Sequence, residues 1–96
     1  MIIIAGTLTL AAGDRERYLA AVADVAPSAR QVPGCLDFVQ VADPVDPERI
    51  VIFERWESDE DLERFRTSGA PDDQSELPPL RDADVRRYRI ASVEDP

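Results

Sequence analysis

Histidine, asparagine and lysine are missing from the 96 residues, and only one cysteine, Cys35, is present. Without an imidazole the chain has no catalytic triad of the usual kind, no histidine-held metal and no ready proton shuttle near neutral pH. One cysteine forms no internal disulfide and fits a reducing compartment, so a cytoplasmic location is expected. The glycines (Gly6, Gly13, Gly34, Gly69) are scattered rather than clustered ahead of a helix, and nucleotide binding is therefore unsupported. The apolar run at the start, Met1 to Ala5, is too short to span a bilayer and lacks the basic flank and cleavage pattern of a secretion signal. Positive charge is also scarce. Eleven arginines face 20 acids, a net charge of -9 that repels phosphate backbones and anionic membranes, so neither nucleic acid nor membrane is an expected partner.

What is present describes a folded domain. Hydrophobic content of 44% and charged content of 32% are ordinary for a globular chain, and residues 1–96 read as one domain. At this size folding alone buries roughly 60 to 65% of the unfolded chain's surface, so a partner subunit would help.

Ile2 to Leu10 is rich in β-branched residues and apolar or small on both faces, which predicts a strand covered from two sides. Asp14 is the expected cap of a helix whose stripe is Tyr18, Val22, Val25 and Ala29, with Leu19 and Ala26 beside it. Pro27 cannot donate to the carbonyl of Ala23, so the helix is expected to kink there or to break in two before Gly34. Two apolar runs, Cys35 to Ala42 and Arg49 to Glu57, flank Asp43-Pro44-Val45-Asp46-Pro47, which is hairpin chemistry. Ser58 with Asp61 begins a helix cap, and Leu62 and Phe65 form the stripe of a short helix closed by Ser68-Gly69. Residues 70–79 read as a loop with one helical turn near Ser75 to Leu77, and Val85 to Val93 as a last strand. The order β-α-β-β-α-β is the ferredoxin-like α+β arrangement, a four-stranded antiparallel sheet with helices on one face. Its other face needs burial too, which predicts a homodimer.

The stretch Pro33-Gly34-Cys35, then Asp43-Pro44, then Glu54-Arg55-Trp56 ahead of a short helix resembles the antibiotic biosynthesis monooxygenase family, small dimeric α+β barrels. The resemblance runs over nearly the whole chain, and its motif-like part is this middle segment. It implies a dimer whose last strand or tail reaches across to the other subunit. One branch of that family degrades haem with an asparagine, a histidine that ligates iron and a tryptophan on the second helix. This chain has neither of the first two residues and carries Phe65 about where that tryptophan falls, so the resemblance does not extend to that chemistry in its familiar form. Many other members have a histidine where Phe65 stands, so histidine-dependent quinol or isomerase chemistry is not carried over either. The branch that remains consists of monooxygenases that use no cofactor and act on electron-rich aromatics such as anthrones and hydroquinones.

Such a substrate supplies its own electrons to dioxygen once it loses a proton. The protein must then provide a dry aromatic cavity, a proton acceptor and a cation near the developing oxyanion. Phe38, Phe53, Trp56, Phe65 and Tyr18 lie on elements suited to line the cavity, where ordinary core packing is the plainer reading of each, and alternation leaves open which of Phe53 and Trp56 points inward. Glu54, flanked on its strand face by Ile52 and Trp56, is the expected base, with Arg89 and Tyr88 as oxyanion contacts. An ion pair of Glu54 with Arg87 or Arg89 is the competing reading of that carboxylate. Cys35 reads as a small buried hydrophobe. Two functions stay open: a cofactor-independent monooxygenase acting on a small aromatic substrate, and a binding or assembly module that keeps the dimeric barrel without chemistry.

Overall fold

The computed structural model describes residues 1–68 and 77–96. Ile2–Leu10 (β1) lies inside a four-stranded sheet, with Cys35–Ala42 (β2), Arg49–Trp56 (β3) and Leu80–Arg89 (β4) in the order β2-β3-β1-β4. All three pairings are antiparallel. Helices Asp14–Ala21 (α1), Val25–Arg30 (α2) and Asp59–Thr67 (α3) complete the ferredoxin-like α+β fold.

The first expected helix is broken in two, and Pro27 explains why. It occupies the third position of α2, in the first turn, where an amide N–H has no partner inside the helix and none is lost. Asp14 is not the cap. Gly13 holds that position with φ 85, and Asp14, already helical, pairs with Arg17 instead. Ser58 caps α3 as expected, its hydroxyl accepting from the Asp61 amide at 3.2 Å.

The last strand runs Leu80–Arg89 rather than Val85 to Val93. Its register with β1, from Leu10 opposite Leu80 to Ile2 opposite Arg89, sets the length. An edge strand needs little apolar sequence, and Arg81, Asp82 and Asp84 hide its start from a reading based on hydrophobicity. Ser75 and Glu76 of the helical turn expected near Ser75 to Leu77, and the closing Gly69, lie outside the described residues; Leu77 is described and is not helical.

Two backbone features fix the register of the face that the helices cover. Between Cys35 and Asp37 the pairing with β3 shifts, with Leu36 as the extra residue; Asp37 therefore sits opposite Arg55, and Phe38 opposite Glu54. Without the bulge, Asp37 would turn inward and Phe38 outward. Gly34, at φ 92, lies against α3: a Cβ there would fall 2.2 Å from Cγ of Asp61. The Pro-Gly-Cys turn and the start of α3 are thus in direct contact, helped by the Glu57 amide donating to the Gly34 carbonyl at 2.9 Å.

The covered face holds two apolar clusters. Ile2, Ile4, Ala29, Phe38, Trp56, Leu62 and Phe65 form one beneath α2 and α3. Leu8, Leu10, Ile50 and Ile52 form the other, with Tyr18 and Leu19 of α1 packed on it. The opposite face presents Ile3, Ala5, Val39, Val41, Val51, Phe53 and Tyr88, of which Phe53, Val41 and Tyr88 are exposed. Among the described residues no helix is long and apolar enough to cross a membrane.

Candidate active site

Among the described residues, Glu54 is the polar residue that the fold places deepest. It lies on the covered face of β3 between Phe38 of β2 and Ile4 of β1 and is only 8% exposed. Strand alternation puts Trp56 on the same face two residues on, fully buried opposite Ile2. The indole Nε1–H of Trp56 donates to Oε1 of Glu54 at 3.0 Å. Phe65 of α3 closes this wall, its ring 5.5 Å from that of Trp56 and 5.8 Å, nearly edge-on, from that of Phe38.

Burial pushes the Glu54 carboxyl above the ordinary glutamate range; the Trp56 hydrogen bond and the positive charge of Arg66 pull the other way without cancelling it. Among the described residues no arginine forms an ion pair with it. The two arginines expected as its partners are engaged elsewhere: Arg87 with Asp59 at 2.7 Å and Glu63 at 3.4 Å, and Arg89 with Asp59 at 2.7 Å. These pairs tie β4 to the first turns of α3, and they hold the Asp59 carboxyl below its usual range, chiefly through the hydrogen bond from Arg89. The Glu54 ion pair is therefore not the arrangement adopted.

The expected site residues fall into separate groups. Glu54, Trp56, Phe38 and Phe65 come together. Tyr18 packs on the neighbouring cluster below α1, where burial raises its phenol. Phe53 and Tyr88 lie on the opposite face, opposite Ala5 and Ile3 of β1 respectively, and do not reach this wall. Arg89 shares the covered face but is spent on Asp59 at its rim. Cys35, half-buried beside the first cluster, has its thiol raised by burial and then by the charges of Glu54 and Asp37, against Arg30, and it packs there as a small apolar residue does.

Two residues escaped the sequence reading. Arg66, on the exposed side of α3, bears electrostatically on Glu54. Gln40 shares the covered face of β2 with Phe38, and its Oε1 is buried without a hydrogen-bond partner. Alternation from Phe38 would have placed it, but the bulge at Leu36 hides which face Phe38 takes. Among the described residues no group of three His, Cys, Asp or Glu side chains is arranged to hold a metal ion.

The site thus offers one buried carboxyl with raised proton affinity, set in an aromatic wall and bonded to an indole. Such a group accepts a proton from a bound carbon or oxygen acid with little competition from water.

Several solved structures share this fold. A Deinococcus radiodurans protein described as a candidate antibiotic biosynthesis monooxygenase is 22% identical, with a TM-score of 0.80 over 99% of this chain and 97% of its own. A Pseudomonas aeruginosa protein is 26% identical, with a TM-score of 0.69 over 94% of this chain and 93% of its own. The haem-degrader MhuD of Mycobacterium tuberculosis, with two haems bound in its active site, is 18% identical with a TM-score of 0.68, covering 99% of this chain and 100% of its own. No protein of curated function matches by sequence. The family model for antibiotic biosynthesis monooxygenase matches residues 1–73, about three-quarters of the length and all of the strands and helices that build the Glu54 wall, and the chain belongs to that family.

Proposed function

We propose that the protein is a cofactor-independent monooxygenase that oxidises an electron-rich aromatic, an anthrone or hydroquinone, with dioxygen. The observation that carries this reading is the buried Glu54 carboxyl, raised by desolvation and without an arginine partner among the described residues. The substrate lies against Phe38, Trp56 and Phe65. Glu54 takes a proton from the carbon or hydroxyl acid, and the resulting anion passes its electrons to dioxygen. With an anthrone, the new carbon–oxygen bond gives a hydroperoxide after the proton returns, and loss of water leaves the quinone. One dioxygen is consumed for each quinone and each water formed, and no external reductant is needed.

The experiment is oxygen uptake with a hydroxyanthrone or a dihydronaphthoquinone, run with a chelator and without added flavin or haem. Uptake by the wild type, cut by about 100-fold or more in Glu54→Gln, is the expected result. Full turnover in that variant contradicts the assignment. Binding without chemistry is the second reading, and the Trp56–Glu54 hydrogen bond favours it, because a fixed indole partner gives the carboxyl a structural use. A saturable ligand shift with no product under air would support it.

The same reading places a second copy on the open sheet face, because Val41, Phe53 and Tyr88 are exposed there beside Ile3, Ala5, Val39 and Val51. It places the protein in the cytoplasm, in keeping with its lone cysteine.

A further inference from the structure

The two apolar clusters of the covered face meet along a seam, and polar groups stand on either side of it. Glu54 is flanked by Phe38 and Ile4, both of the first cluster. In the adjoining row Gln40 lies opposite Ile52, of the second cluster, and Ile52 lies opposite Gly6. Gly6 contributes no side chain, so the row Gln40, Ile52, Gly6, Val85 is the thin one of the face. It is also held thin: a Cβ on Gly6 would fall 1.9 Å from the Asp84 carbonyl oxygen, so no larger residue fits while β4 stays paired.

Gln40 and Glu54 are diagonal neighbours on adjacent strands, which puts their backbones about 7 to 8 Å apart. Their side chains differ in one respect. Oε1 of Glu54 accepts from Trp56, whereas Oε1 of Gln40 is buried and has no hydrogen-bond partner among the described residues. A folded chain rarely keeps an orphaned acceptor, since leaving it unpaired costs stability that an apolar side chain of the same size would not. Such a cost persists where a ligand supplies the missing donor.

We propose that Gln40 is a positioning residue that takes a hydroxyl of the bound aromatic, at a point distinct from the proton that goes to Glu54. This rests on the monooxygenase reading for the identity of the ligand, but not for the hydrogen bond itself. It narrows the substrate class to aromatics with two oxygen substituents, one of them a free hydroxyl. A ring with a single oxygen leaves Gln40 unpaired and is disfavoured, because sites built to bond a hydroxyl discriminate against analogues lacking it.

The test uses the full chain under nitrogen, with quenching of Trp56, the one tryptophan, as readout. The probes are 1,5-dihydroxynaphthalene and 1-naphthol. The wild type is expected to bind the diol about tenfold or more tightly than the mono-ol. Gln40→Met, of similar length without the polar atoms, is expected to bring that ratio close to one, chiefly by weakening the diol. Its melting temperature should equal or exceed that of the wild type, because the substitution removes an unpaired buried group. Three results would overturn the assignment: no preference in the wild type, a preference that survives in Gln40→Met, or a lowered melting temperature, which would mean that the carboxamide has a structural partner. Oxygen uptake is scored separately. A Gln40-dependent preference without uptake would sink the enzyme reading and leave the positioning role standing, and the reverse pattern would do the opposite.

Discussion

Glu54 and Arg55 are adjacent on β3, yet they emerge on opposite faces of one sheet and meet opposite fates. On the open face Arg55 and Asp37 pair at 2.7 Å, both about two-fifths exposed, and each neutralises the other. On the covered face Glu54 has no ion pair among the described residues; its hydrogen bond comes from an indole N–H, and Arg66 acts on it through its charge without cancelling the effect of burial. Both faces combine apolar side chains with charge. The difference is that one face uses charge to close a local electrostatic account and the other keeps a carboxyl whose ionised form is poorly compensated. The second arrangement raises proton affinity, as a site that moves a proton requires.

Substitutions of increasing subtlety probe that contrast. Trp56 is fully buried, so Trp56→Ala should cost about 3 to 5 kcal/mol in urea unfolding, whereas Phe53→Ala, on the other face of the same strand, should cost far less fold stability. Equal losses would mean that the open face is as much a part of the subunit's own core as the covered one. Phe53→Asp should next convert a dimer to a monomer by light scattering while the far-UV circular dichroism is kept. A wild type that already runs as a monomer at micromolar concentration would remove the second copy from the account.

Glu54→Gln supplies a pH test. Burial raises the folded carboxyl above its ordinary value of 4.5, so the folded chain binds the proton more tightly than the unfolded chain does. Stability is then greatest below the ordinary value and falls as pH rises through the folded one. Glutamine keeps an acceptor for Trp56 without the charge. The melting temperature of Glu54→Gln should therefore exceed that of the wild type at pH 7, and the gap should close on acidification. A gap that widens toward acid would reverse the sign. The smallest effect is expected on the open face: Asp37→Asn removes an exposed ion pair and should change stability by less than about 1 kcal/mol, and less still in high salt.

The difference between the faces also explains what could be read without a structure. Local signals were sufficient for the element order, the Asp-Pro hairpin, the Ser58 cap and an interruption of the first helix ahead of Pro27, read as a kink or a break, since each depends on residues near one another in sequence. The inward face of β3 was not decided locally. Ile52, Glu54 and Trp56 alternate with Val51, Phe53 and Arg55, and the two sets are similarly mixed; pairing of Trp56 with Ile2 and of Phe53 with Ala5, far away in sequence, settles it. The bulge at Leu36 has no turn residue to announce it, yet it turns Phe38 and Gln40 toward Glu54. The start of β4 was lost among Arg81, Asp82 and Asp84 because an exposed edge strand needs no apolar pattern. Glu54 itself was legible as a carboxylate sharing a strand face with Ile52 and Trp56; that this face is the covered one follows from the pairing with β1.

The direct measurement is a carbon-13 NMR titration of the side-chain carboxyl of Glu54, assigned by its disappearance in Glu54→Gln. The account predicts a midpoint above 4.5 in the folded protein, with the Trp56 indole resonance moving in step. A midpoint at or below that value would show a carboxylate compensated in the folded chain, and Glu54 would then have no claim to be the proton acceptor.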